Sequence, residues 1–116
     1  MAQRSELIEE TLYSPSGALH LRAEVVYERL PVRGDADEVT RYRVLVAGVP
    51  VGEVWRVEFA RRQRAKFTVR SVWRCRTANG TSSLVSRRSR RDATVELLVN
   101  VQSKSARAAS SRPRGS

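Results

Sequence analysis

Between Ala60 and Arg91 the sequence places eleven basic side chains and no acidic one. Arg61, Arg62, Arg64, Lys66, Arg70, Arg74 and Arg76 form the dense part of that run, interleaved with Phe67, Val69, Val72 and Trp73. A guanidinium is a planar fork of donors that grips phosphate or carboxylate bidentately, so a series of them without counter-charges is chemistry for holding a polyanion. Twenty of the 22 basic residues are Arg, as codon usage in a GC-rich genome dictates. That bias explains Arg in place of Lys but leaves the missing acids unexplained.

The rest of the 116 residues offers little competing chemistry. One cysteine, Cys75, and one histidine, His20, provide neither an internal disulfide nor a Cys/His metal cluster, so no metal or other cofactor is expected. His20 has no nucleophile or carboxylate at motif spacing, and Gly48 to Gly52 lacks the phosphate-loop pattern, so the chain reads as non-enzymatic. Arg33-Gly34-Asp35 and Asp35-Ala36-Asp37 look like an integrin tripeptide and the start of a calcium loop. The remainder of neither motif's context is present, and both read as a solvated acidic loop. No apolar run is long enough for a membrane span, and the polar, acidic start is unlike a signal peptide, so a cytoplasmic protein with no membrane partner is expected.

Charge is divided along the chain. Residues 1–40 hold four basic and eight acidic groups, a formal −4; residues 41–116 hold eighteen basic and four acidic, a formal +14. Such asymmetry points to nucleic acid as the partner of the second part.

Positioning these side chains requires an α+β fold, a three- to four-stranded antiparallel sheet packed on one C-terminal helix. Residues 1–17 read as an acidic leader with one or two helical turns over Glu6–Leu12, closed by the turn cluster Tyr13–Gly17. Leu19, Leu21, Ala23, Val25 and Tyr27 alternate with polar residues as a strand to about Leu30, with a helix as the competing reading because Leu21, Val25 and Val26 also have helical spacing. A meander over 41–77 follows, with strands Arg41–Ala47, Val51–Phe59 and Lys66–Thr77. Ala47-Gly48 is its first turn, Arg61–Arg64 its second connection, and Asn79-Gly80 the turn after it. A fourth short extended piece is expected at Ser83–Ser86. Ser89-Arg90-Arg91-Asp92 has the capping-box form, and Ala93, Leu97, Leu98 and Val101 make an apolar stripe for a helix over 89–102. The single domain therefore spans 18–102. Residues 103–116, with five serines, four basic residues and no acid, read as a disordered basic tail.

Side-chain parity divides the meander into two faces. Phe67, Val69, Ser71, Trp73 and Cys75 are expected toward the helix, with Tyr42, Val44 and Val46 from the first strand and Val51, Trp55, Val57 and Phe59 from the second. Both tryptophans then belong to the core, and Cys75 is a buried, inert thiol. Val54, Arg56 and Glu58 look outward. The outer face carries Arg41, Arg43, Arg56, Lys66, Arg70, Arg74 and Arg76, flanked by the Arg61, Arg62 and Arg64 loop. A narrow β-ribbon fits the major groove, so duplex DNA is the expected ligand, with Arg56, Arg70 and Arg74 reading bases and the loop arginines holding phosphates.

The pattern Tyr42-Arg43-Val44, Gly48, Val51-Gly52-Glu53-Val54, Val72-Trp73-Arg74, Asn79-Gly80, Ser89-Arg90-Arg91-Asp92-Ala93 and Leu97-Leu98 resembles small β-β-β-α domains of actinobacteria and their phages. It is similar to the arm-type DNA-binding domains of phage integrases and to AP2-like domains. The resemblance covers about residues 41–102. It implies a sheet that enters the major groove with Arg56, Arg70 and Arg74 as its basic exposed residues, and a role as a regulator or recombination accessory. Two alternatives share the charge. One is an RNA- or ribosome-binding protein; if a tryptophan is exposed among the arginines, single-stranded RNA or DNA becomes the leading ligand. The other is a protein-interaction module whose acidic segment pairs with the basic region of a second copy or of an acidic protein, or lies over its own sheet as an autoinhibitor.

Overall fold

A computed structural model describes residues 4–34, 38–80, 82 and 86–111. Five antiparallel strands form one curled half-barrel sheet in chain order, with a single helix packed inside the curl. The strands are β1 (Ser5–Ser14), β2 (Gly17–Leu30), β3 (Glu38–Val46), β4 (Val49–Gln63) and β5 (Lys66–Thr77), and the helix is α1 (Arg90–Ser111).

The acidic leader is not a separate piece. Ser5–Ser14 is a strand that pairs along its whole length with β2, from Ser5 opposite Val26 to Ser14 opposite Gly17. Short-range spacing favoured a helical turn there. Tertiary context overrides that preference, because Ile8 enters the core and is fully buried with Leu21 and Val25 beneath the helix. The sheet thus has five strands rather than three or four. Of the extended piece expected at Ser83–Ser86, residues 83–85 lie outside the described residues. Ser82 and Arg87 instead make isolated bridges to Arg76 and Trp73 on the β5 edge.

Local chemistry explains the turns and the helix start. Ala47 and Gly48 both take positive φ (51° and 77°), the conformation a two-residue hairpin needs between right-twisted strands. Ser89 caps α1: its Oγ accepts the Asp92 amide at 3.1 Å, and its carbonyl accepts that of Ala93 at 3.1 Å. The helix runs past Gln102 to Ser111, through residues that read as a disordered tail; residues 112–116 lie outside the described residues.

Ala93, Leu97 and Leu98 meet Val44, Val54 and Cys75 to close the core. An aromatic group anchors the start of α1. Tyr42 stacks on Trp73 at 6.3 Å and meets Tyr27 edge-on at 5.8 Å. The Arg90 guanidinium lies over both tyrosines, at 4.1 and 5.0 Å. The Thr94 hydroxyl donates to the Arg90 carbonyl at 2.8 Å, which leaves its oxygen to accept the Tyr27 hydroxyl at 2.6 Å. Burial pushes the Tyr27 hydroxyl above the ordinary tyrosine value, with Glu6 acting in the same direction, and this outweighs the charges of Arg90 and Arg91 that lower it.

Candidate nucleic-acid interface

Strand register decides which side chains share a face, and it reverses the sequence assignment of β4. Val54 lies opposite Tyr42 on one side and Cys75 on the other; Gly52 lies opposite Val44 and Thr77. Gly52, Val54, Arg56 and Glu58 therefore face the helix side, and Glu53, Trp55, Val57 and Phe59 face the convex side. The cause is the close seat of α1. A Cβ on Gly52 would lie 2.6 Å from Leu97 Cδ1 and 2.3 Å from the Arg76 carbonyl oxygen, so only glycine admits the helix there. That glycine was the available signal: parity counted from Gly52 places Val54 inward, whereas parity counted from Trp55 places it outward.

The inward expectation for Val51, Trp55, Val57 and Phe59 is thus corrected for Trp55, Val57 and Phe59, while Val51 packs against the core where the β3–β4 register shifts. Arg56 is removed from the outer surface. It faces the helix side, with Glu58 at 3.7 Å. Trp73 and Cys75 do face the helix, and Cys75 is buried.

The convex face carries the other expected cations from the strands. Arg41, Arg43, Lys66, Arg70, Arg74 and Arg76 all project there by parity, but they are not equivalent. Arg41 is paired with Glu53, and Arg43 with Glu28 at 3.1 Å, so the β3 cations are neutralised within the sheet. Lys66, Arg70, Arg74 and Arg76 on β5 are exposed and, among the described residues, have no carboxylate partner. Ten residues of strand separate the first from the last, a cationic row about 33 Å long. At its lower end Arg41, Arg43, Glu53, Arg76 and Asn79 line a shallow concavity of about 500 Å³.

The upper half of that row stands on a projecting ribbon. Pairing of β3 with β4 stops at Glu38 opposite Val57, while β4 and β5 remain paired out to Gln63 opposite Lys66. The two-stranded ribbon from Glu58 to Ser71 thus extends past the rest of the sheet, and its turn uses Arg64 at φ 57°. Arg62 and Arg64 are exposed on it, with the Arg62 guanidinium 5.8 Å from the centre of the Phe67 ring. The side chain of Arg61 lies outside the described residues.

Two aromatics missed by the sequence reading share the convex face with these cations. Trp55 lies between Arg41 and Arg74 in register, and Phe59 lies opposite Arg70. Trp55 is half-buried beneath Arg33, whose guanidinium sits 5.2 Å from the ring centre. Glu38 holds Arg33 there, accepting its backbone amide at 2.9 Å and its Nε and Nη2 at 3.0 and 2.9 Å. Arg33 therefore serves an internal pair; the third residue of the integrin-like tripeptide, Asp35, lies outside the described residues. Protein families, curated proteins and solved structures show no match to this chain.

The acidic groups of the first forty residues are largely engaged at home. Glu6 meets Arg90 at 3.6 Å, Glu10 meets Arg91 at 2.9 Å, and Glu28 and Glu38 hold Arg43 and Arg33. β1 is the sheet edge farthest from β5, so Ser5–Ser14 does not lie over the basic face. His20 is exposed, with Nδ1 3.1 Å from the Thr11 hydroxyl. Among the described residues no His, Cys, Asp and Glu cluster has a metal-binding arrangement, and no helix is long and apolar enough to cross a membrane.

Proposed function

We propose that this protein is a non-enzymatic nucleic-acid-binding protein that uses the convex face of β4 and β5. The supporting observation is the row Lys66, Arg70, Arg74 and Arg76, exposed on one face of one edge strand with no carboxylate partner among the described residues. Like charges along a strand cost stability, a cost that phosphates offset. Duplex DNA is the first ligand, because the projecting two-stranded ribbon has the shape that enters a major groove. Arg70 and Arg74 are the candidates for base contact; Lys66 and Arg76 on the same face, and Arg64 in the ribbon turn, are the candidates for phosphates, whereas Arg62, opposite Phe67, has the helix-side parity.

Trp55 and Phe59 support a second reading. Aromatic side chains flanked by cations are how unpaired bases are held, so single-stranded DNA or RNA competes with duplex for the same face. Fluorescence anisotropy with labelled duplex and single-stranded oligonucleotides separates the two. Binding at low salt that weakens by about tenfold or more at moderate salt is expected. Quenching of tryptophan emission by single strands alone would assign the ligand to the second reading. Absence of binding to either at low salt would end the proposal. A regulator or recombination-accessory role further requires that a randomised duplex library yield an enriched motif.

A further inference from the structure

We propose that the free edge of β5 is a docking surface for a second copy of this chain, which adds its β1 edge and continues the sheet. The bridge between Trp73 and Arg87 fixes the direction of the edge: the Trp73 amide donates to the Arg87 carbonyl at 2.7 Å and its carbonyl accepts the Arg87 amide at 2.8 Å, both away from β4. Phe67, Val69 and Ser71 have the same parity and so direct their backbone donors and acceptors outward. Nothing among the described residues pairs with that stretch. Its apolar side chains are open as well, Phe67 at 73% and Val69 at 69% exposed. An apolar, unpaired edge is a template for another strand.

Charge selects the occupant. Lys66–Thr77 contains Lys66, Arg70, Arg74 and Arg76 and no acid, while Ser5–Ser14, the opposite edge of the sheet, contains Glu6, Glu9 and Glu10 and no base. Two β5 edges would bring like charges together, whereas β5 against β1 joins opposite ones. Glu6 and Glu10 are partly engaged by α1, and Glu9, without an ion pair among the described residues, is on the convex side that also carries Lys66 and Arg70. Leu12 is on the helix side with Phe67 and Val69. In an antiparallel meander β1, β3 and β5 run the same way, so a copy that repeats the sheet in the same sense presents a β1 parallel to β5. Because two different edges meet, the contact is heterologous and propagates into a ring or a filament rather than stopping at a dimer.

Sedimentation velocity on the full chain, across protein concentration at low salt, tests this. Species that grow with concentration beyond a dimer are expected, and high salt should reduce them. Val69→Pro removes only an outward amide, leaving the ladder to β4 intact, and should raise the concentration needed for assembly about tenfold. Glu9→Arg and Arg70→Glu should each suppress assembly, and their equimolar mixture should restore it. That rescue cannot come from a folding defect. A wild-type monomer at every concentration, a dimer that saturates, unimpaired assembly of Val69→Pro, or no recovery in the mixture would each overturn the proposal.

Discussion

Replacing Gly52 with alanine tests the contact on which the two faces of β4 depend. The new Cβ would sit 2.3 Å from the Arg76 carbonyl oxygen, 2.6 Å from Leu97 Cδ1 and 3.1 Å from Thr77 Cα. Leu97 can change rotamer, but the carbonyl belongs to a strand paired to β4 from Gly52 to Gln63 and cannot move without breaking the ladder. Relief must come from lifting α1 and shifting β5 together. Overpacking of this kind costs about 3 kcal/mol, the upper part of its usual range. For a domain of this size that is a fall of about 15 °C in Tm. Urea denaturation followed by far-UV circular dichroism measures it directly. A loss under about 1 kcal/mol would mean that α1 is not seated on Gly52, and the placement of Trp55 and Phe59 among the arginines would lose its basis.

Other outcomes follow from the same packing. Leu97→Ala should cost about 2–5 kcal/mol in the same assay, since its side chain is fully buried. Glu38→Gln leaves Arg33 without its counter-charge over Trp55 and should cost about 1–3 kcal/mol, with a change in tryptophan emission. Tyr27 has a raised pKa in the folded state, so the unfolded chain loses that proton first. Its stabilising contribution is complete below the ordinary tyrosine value and falls as pH rises through the folded value. Stability measured against pH should therefore fall less steeply in that alkaline range for Tyr27→Phe than for wild type. Phe59→Ala should weaken single-strand binding more than duplex binding if unpaired bases stack there, and equal losses would count against stacking.

The sequence carried the α+β class, the strand Ala18–Leu30, the meander and the capped helix, because each rests on a local signal: period-two alternation, the Ala47-Gly48 turn, and Ser89 three residues before Asp92. β1 was not legible. Its apolar residues Ile8 and Leu12 lie four apart, which satisfies helical spacing as well as strand parity, and only pairing with β2 decides between them. The cationic row was legible on β5, where Lys66, Arg70, Arg74 and Arg76 hold one parity throughout. On β4 both parities contain apolar residues, Val54 on one and Trp55, Val57 and Phe59 on the other. Residue size favoured the aromatics as core, whereas the close approach of α1 demanded the face containing Gly52. Arg41 and Arg43 had the expected face, but their partners Glu53 and Glu28 lie on neighbouring strands, and no spacing along the chain reveals them.

The most direct test of the proposed function is the salt dependence of oligonucleotide binding, compared between wild type and the double variant Lys66→Gln, Arg76→Gln. Each cation–phosphate pair removed should flatten the slope of log K against log salt by about 0.9 for duplex or about 0.7 for a single strand. A slope shallower by the equivalent of about two phosphates, with an unchanged fold by circular dichroism, is the expected result. An unchanged slope and affinity would contradict binding through the convex face of β5.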